Sequence, residues 1–504
     1  MPAEPPLDAL IVGAGFSGLC VAIALRKAGR RFRVLEQADR LGGTWRDNHY
    51  PGAACDVPSN LYCYSFAPNP DWSRSYPRQA EIQAYLERCV DDFGVRDALS
   101  FGQEVHSARF DESDNLWRVT VAGSADPITA RALVLATGGL SRPKLPEIPG
   151  IGDFAGTLFH TARWPTEVAL DGKRIGLIGT GASAIQIVPE LAPLAAQLTV
   201  FQRTPPWIVP KPDFRVSVRH RAALRRWPAL QRLDRWRLYL QHEVWAIGFT
   251  RWPGLLRLIQ PFANAFRRYQ VREPGLRARL APDYTIGCKR VLLSNDYYPA
   301  LVRENVHLET DAIAIIERDA VVTADGRRHA CDALVLATGF HAAEAGAPFP
   351  IYGCQGRELN AVWGGGASAS AYLGTTVSGF PGLFVMTGPN TALGHNSMVY
   401  MIEAQTRYVG DAVAALAERP GISLDVDPQI QLRYNHWVQK RLAASVWNTG
   451  GCSSWYRTAS GLNTTLWPDF TFLYRHRTRR FDSENYRAVF PTGQQPGDQS
   501  PTSC

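Results

Sequence analysis

The sequence predicts an α/β protein made of two Rossmann-like units, with a helical insert in the second. Three observations lead to this. The chain opens on an apolar strand that runs into Gly13-x-Gly15-x-x-Gly18 and a helix. The same order returns at Gly179-x-Gly181-x-x-Ala184. Between residues 211 and 283 the second unit is interrupted by Arg, Leu, Trp and Pro at helical spacing.

Composition sets the frame. A chain of 504 residues is too long for one core and implies roughly two to four domains. Hydrophobic content of 45% and charged content of 20% are those of a globular protein, with only the tail GQQPGDQSPTSC expected to be loose. Net charge is +8, but the basic residues collect between Arg215 and Arg279 with Trp, Leu and Phe at helical spacing among them. An outward helix face explains that pattern better than a nucleic-acid groove. Nine cysteines, without a C-x-x-C, give neither a disulfide framework nor a zinc site nor a redox dithiol, so no metal and a reducing compartment are expected. Residues 1–7 lack the character of a signal peptide, and Val244 to Leu256, the nearest approach to a membrane span, is broken by Arg251 and Pro253. The expectation is a cytoplasmic protein without a transmembrane segment; its oligomeric state is left open.

In the first unit, Ala9 to Val12 reads as a strand, followed by a helix to about Ala28 and a second strand ending at Glu36. The first glycine makes the turn, the second admits a pyrophosphate, and the third lets helix and strand pack; Glu36 is placed to accept from ribose hydroxyls. Next comes GGTWRDNHYPGAACD, from Gly42 to Asp56, whose glycines, Trp45 and turn at Pro51-Gly52 suit a loop lying along a planar ring system. LYCYSF reads as an aromatic strand-like piece, and the segment from Ser75 to Val95 as a helix. Val105 to Phe110 and Leu116 to Val121 read as strands around DESD, and ARALVLATGG as a buried strand. A Pro-rich linker then marks a boundary near Ser141.

The second unit starts at Arg174. Glu36 lies 23 positions after Gly13, and the same step from Gly179 lands on Gln202, with Arg203 next. An acid there would repel a ribose 2′-phosphate, whereas a guanidinium can bind one bidentately, so this site should prefer NADP to NAD. Two nucleotide folds, only the first suited to an unphosphorylated ribose, fit a flavin reductase or flavin oxygenase holding FAD and NADPH.

Between the two units stands Phe154-x-Gly156-x-x-x-His160-x-x-x-Trp164-Pro165. FAGTLFHTARWP and GGTWRDNHYPGAACD match the two signatures of type I Baeyer–Villiger monooxygenases, and with both Rossmann motifs and the turns at Ala136-Thr137-Gly138 and Ala337-Thr338-Gly339 the chain resembles that family over nearly its whole length. The resemblance implies oxidation of a ketone by O2 to an ester or lactone through a C4a-peroxyflavin. An S- or N-oxygenating flavin monooxygenase is the main competitor, and a disulfide reductase is disfavoured by the missing C-x-x-C.

By the same resemblance FAD is held by residues 1–141 and 345–504, and NADPH by 142–344 with the insert at 211–283. Gly13, Gly15, Phe16, Ser17, Gly18, Glu36, Gly43, Thr44, Trp45, Asp56, Tyr62, Val105 and Met398 are expected around FAD. Thr180, Gly181, Ala182, Ser183, Gln186, Arg203, Thr204, Lys289, Arg290 and Trp455 are expected around NADP, with Trp455 on a mobile C-terminal loop. His160 and Trp164 couple domain movement to the cofactors. Arg290, paired with Asp56, is the catalytic cation, because a reacting oxygen that turns negative needs a charge that cannot be lost. Arg46-Asp47-Asn48-His49 departs from the more aromatic run of cyclic-ketone members, so their substrate range is not implied.

Overall fold

The computed structural model describes residues 5–342 and 346–492. The tail GQQPGDQSPTSC and the expected domain boundary at 344/345 lie outside them. Both glycine-rich motifs sit where expected. β1 (Leu7–Val12) feeds through Gly13 into α1 (Phe16–Lys27) and returns as β2 (Phe32–Leu35), parallel to β1. Arg26 and Lys27 close α1, placing positive charge at the negative end of the helix dipole. Ala9, Leu10 and Ile11 are fully buried, as a parallel strand covered on both faces requires.

The sheet built on β1 is mixed. Its spatial order is Ile351–Tyr352, Val105–Asp111, Leu116–Val121, Ile128–Leu135, β1, β2 and Leu99–Ser100, and Leu383–Val385 also pairs with Ile128–Leu135. The chain thus returns to the first sheet after completing the second. The second sheet is all parallel, in the order Val306–Glu309, β4 (Gln197–Phe201), β3 (Arg174–Ile178), Ala333–Leu336 and Thr157–His160. α2 (Ala182–Leu191) follows β3. Residues 211–283 hold four α-helices, the longest being α3 (Pro228–Glu243). α4 (Met398–Ala417) packs on α1.

One expected element is absent. Leu61 to Phe66 forms turns rather than a strand. Its aromatic residues serve packing instead: Tyr64 is fully buried, donates its hydroxyl to the Phe16 carbonyl at 2.7 Å, and its backbone N–H is taken by Tyr85 Oη at 2.8 Å. A backbone group satisfied by a side chain has no need of a ladder partner.

Candidate active site

The first cradle is formed where two glycine turns meet. Gly43 has φ +54°, and a Cβ there would lie 3.2 Å from Gly15 Cα. A Cβ on Gly13 would lie 2.5 Å from the Ala136 carbonyl oxygen and one on Gly18 would collide with Gly13, so only glycine allows α1 to start this close to β1. Glu36 is buried and accepts from Ala14 N–H at 2.9 Å, Ala38 N–H at 3.1 Å and Arg46 Nη1 at 2.9 Å. Its carboxylate is therefore locked in place at the end of β2. Trp45 donates its indole N–H to Tyr62 Oη at 2.9 Å, and the Phe16 ring meets Tyr62 edge-on at 5.2 Å. Ser17 is buried inside α1, Thr44 opens the short helix Thr44–Asp47, and Met398 opens α4 just after the capping Ser397. Val105 is a core residue in the cluster that holds Val12 and Leu35.

The second cradle repeats the first. Gly179 has φ +118°, Gly181 precedes Ala182 at the start of α2, and a Cβ on Gly181 would meet nothing within 4 Å. Thr180 Oγ1 donates to the Thr204 carbonyl at 2.9 Å, pinning the two turns together. Gln202 turns inward and donates to the Arg279 carbonyl at 2.8 Å, while Arg203 next to it is exposed. Lys289 lies near Arg203: burial, and then the Arg203 charge, hold its ammonium below the usual lysine range. Two cations approaching each other in this way make a place for an anion.

The 42–56 loop joins the two folds. Tyr50 Oη donates to Gln186 Oε1 at 3.0 Å, and Gln186 Nε2 donates to the Ala54 carbonyl at 2.9 Å, so Gln186 is engaged by the loop. Ser183 lies close to the Tyr50 phenol. His49 bridges the Arg46 and Trp164 carbonyls at 3.2 and 2.9 Å, and the Trp164 ring meets Phe159 edge-on at 4.9 Å. His160 Nδ1 accepts the Ala162 N–H at 3.1 Å, which leaves the proton of the neutral ring on Nε2. Burial also lowers its pKa, and its ring packs against Phe340 beside the second ATG turn. The ring thus caps the turn Thr161–Arg163.

At the end of this loop Asp56 meets Arg290, 234 residues away, in a two-bond fork: Nε to Oδ2 at 2.5 Å and Nη2 to Oδ1 at 2.8 Å. The two side chains keep 29% and 27% of their surface exposed, so the pair can still be reached. Burial pushes the Asp56 carboxyl up, but the Arg290 charge and its hydrogen bonds outweigh that and hold it below the usual carboxylate range. The Asp56 charge in turn raises Arg290. Both groups are thus ionised at any working pH.

Two neighbours of this pair escaped sequence reasoning. Tyr456 is buried beside Arg290; burial pushes its phenol up to about 12 against the pull of the guanidinium. Its only signal was adjacency to Trp455, which is 44% exposed and whose ring lies 4.5 Å from that of Tyr456. Lys211 also senses Asp56, with burial lowering its pKa and its ammonium 5.0 Å from the Tyr76 ring.

The expectation that the cysteines form no disulfide is overturned. Cys288 and Cys452 form a disulfide across 164 residues, with Cα atoms 6.1 Å apart. It ties the segment leading into Lys289-Arg290 to the loop that carries Trp455. Local spacing cannot reveal a pair so distant in sequence. Gly450 makes room for it, since a Cβ there would lie 2.6 Å from Cys288 Cβ. Cys452→Ser, or a dithiol reductant, should lower stability by about 2–4 kcal/mol. A thermal melt with and without reductant measures this, and a linked peptide in a non-reducing digest identifies the pair. An identical melt under both conditions would contradict it.

Comparisons with known proteins agree with this geometry. Residues 10–251 match the family described as pyridine nucleotide-disulphide oxidoreductase, a stretch that contains neither cysteine of the disulfide. A Baeyer–Villiger monooxygenase of Pseudomonas aeruginosa is 46% identical over 481 residues, covering 94% of this chain and 90% of that protein. One from Streptomyces coelicolor is 45% identical over 490 residues, covering 97% and 93%. Among solved structures, OTEMO in complex with FAD and NADP superposes with a TM-score of 0.86 at 28% identity, covering 96% of this chain and 100% of that one. Likeness of this extent, on a chain with paired nucleotide folds, is decisive: the chain belongs to the Baeyer–Villiger monooxygenase family.

Proposed function

We propose that this chain is an NADPH- and O2-dependent flavin monooxygenase that converts a small-molecule ketone to an ester or lactone. The observation that carries this reading is the reachable Arg290–Asp56 fork at the end of the loop joining the two folds. The cradles fit the two cofactors. Gly13, Gly15 and Gly43 leave backbone bare at the start of α1, where a pyrophosphate is favoured, and the fixed Glu36 carboxylate suits a ribose diol. Thr180 to Ser183 at the start of α2, with Arg203 and Lys289, would hold NADPH.

Bound flavin supplies hydride acceptance from NADPH and activation of O2. The rest falls to the protein. Arg290 presents a permanent positive charge to the negative charge that develops on the transferred oxygen, and Asp56 fixes the plane of the guanidinium. Trp455, exposed on a loop fastened at Cys452, would cover bound nucleotide and exclude water.

The purified protein should be yellow and should be reduced far faster by NADPH than by NADH. A panel of linear, cyclic and aryl ketones should raise NADPH consumption for at least one class, with a product one oxygen atom heavier. A ketone panel that leaves NADPH consumption unchanged, while sulfides or amines offered in its place are oxygenated, would contradict the proposal.

A further inference from the structure

Helix α3 buries polar groups beside Leu238 and Tyr239, which pack on the core: Gln231 and Glu243 are 3% and 4% exposed, and Arg235 Nη1 donates to the Asn60 and Cys63 carbonyls at 2.9 and 2.8 Å. Gln231 Nε2 donates to the Asn69 carbonyl at 2.6 Å, and Glu243 accepts from Asn396 Nδ2 at 2.7 Å and Thr471 Oγ1 at 2.8 Å. The outer face is apolar but for Arg237. Leu230, Leu233, Trp236, Leu240 and, at the C-cap, Val244 fall within a stripe about 120° wide at 100° per residue. Leu233, Trp236 and Val244 are 61%, 60% and 63% exposed, and exposed tryptophans, Trp227 and Trp245, stand at both ends. A helix that spends its polar groups inward and leaves Leu and Trp in water has a partner that covers them.

The charge around the stripe says which. Residues 211–283 carry sixteen basic and five acidic side chains, a net +11 in a chain whose total is only +8. Arg226 and Arg232 beside the stripe, and Arg257 and Arg268 further along the insert, are exposed and have no carboxylate partner among the described residues. The acids nearby are already engaged: Asp213 with Arg74, Asp234 with Arg237 and Asn60, Glu243 as above, and Glu273 as the cap of Pro274–Arg279. A second copy packed two-fold on this face would set arginines against arginines, with Asp283 alone of the five acids of 211–283 left to relieve them. An anionic surface with an apolar interior meets both the charge and the stripe.

We propose that α3 seats the protein on an anionic lipid bilayer, lying in the headgroup plane with Leu233, Trp236 and Leu240 inserted and the surrounding arginines on lipid phosphates. No helix of the described residues is long and apolar enough to cross a membrane, and this mode needs none.

The test is vesicle co-sedimentation of the FAD-loaded full chain. Binding to phosphatidylglycerol vesicles should exceed that to pure phosphatidylcholine by roughly tenfold or more and weaken with added salt. Tryptophan emission should shift to the blue on binding. Leu233→Glu/Trp236→Glu/Leu240→Glu changes exposed positions only; it should lose at least about tenfold in vesicle binding while keeping its melting temperature and its NADPH oxidation rate. Absence of binding to anionic vesicles at low salt, or binding that the triple variant retains, would overturn the proposal. A wild-type dimer in solution that the triple variant converts to monomer would overturn it too, by assigning the face to a second copy.

Discussion

Arg290→Ala should abolish ester formation while leaving FAD binding and reduction by NADPH intact. The guanidinium is held by two bonds to Asp56, and both partners stay ionised across the working range. Its charge is of use only where negative charge develops on oxygen, a step that comes after reduction. Losing a preorganised partner of this kind costs on the order of 3 kcal/mol in that step, about a hundredfold in rate. The variant should therefore consume NADPH and release hydrogen peroxide. Lysine keeps charge but not the planar fork that Asp56 holds, so Arg290→Lys should rescue only in part. Stopped-flow reduction and reoxidation with product analysis on the same preparation separate these steps. Near-native ester yield from the alanine variant would move the catalytic charge elsewhere.

Arg203→Ala should raise the KM for NADPH and barely change that for NADH. Arg203 is exposed at the end of β4, the amide of Gln202 is turned away to Arg279, and the other cation nearby is Lys289. A hydrogen-bonded charge pair with a 2′-phosphate contributes about 1.5–3 kcal/mol, so the expected change is roughly ten- to a hundredfold. Steady-state kinetics with both coenzymes decide this, since equal losses would show that Arg203 serves the fold instead of the phosphate.

What the sequence made legible was local. The glycine spacing, the acid at 36 and the cation at 203 each depend on one turn and one strand, and the structure has both cradles where those patterns put them. The Asp56–Arg290 pair spans 234 residues, and only family likeness suggested it. Contacts without a motif stayed hidden: Tyr456 beside Arg290, His49 against the Trp164 carbonyl, and the Cys288–Cys452 bond. Each joins segments brought together by the packing of two folds, which no periodicity records. Leu61 to Phe66 failed for the opposite reason, because aromatic character describes a buried surface as well as a strand. The arginines of 215–279 were read as an outward helix face, but that Leu and Trp of α3 share it, with Glu243 on Thr471 and Gln231 on Asn69 turned inward, became visible only in the structure.

The most direct test of the central claim is turnover of an accepted ketone under heavy-oxygen-labelled O2 with NADPH, followed by mass analysis of the product. One labelled atom in the ester or lactone, between the carbonyl carbon and its former neighbour, is the predicted result. Unlabelled ester, or consumption of NADPH that yields labelled peroxide and unchanged ketone with every member of the panel, would contradict it.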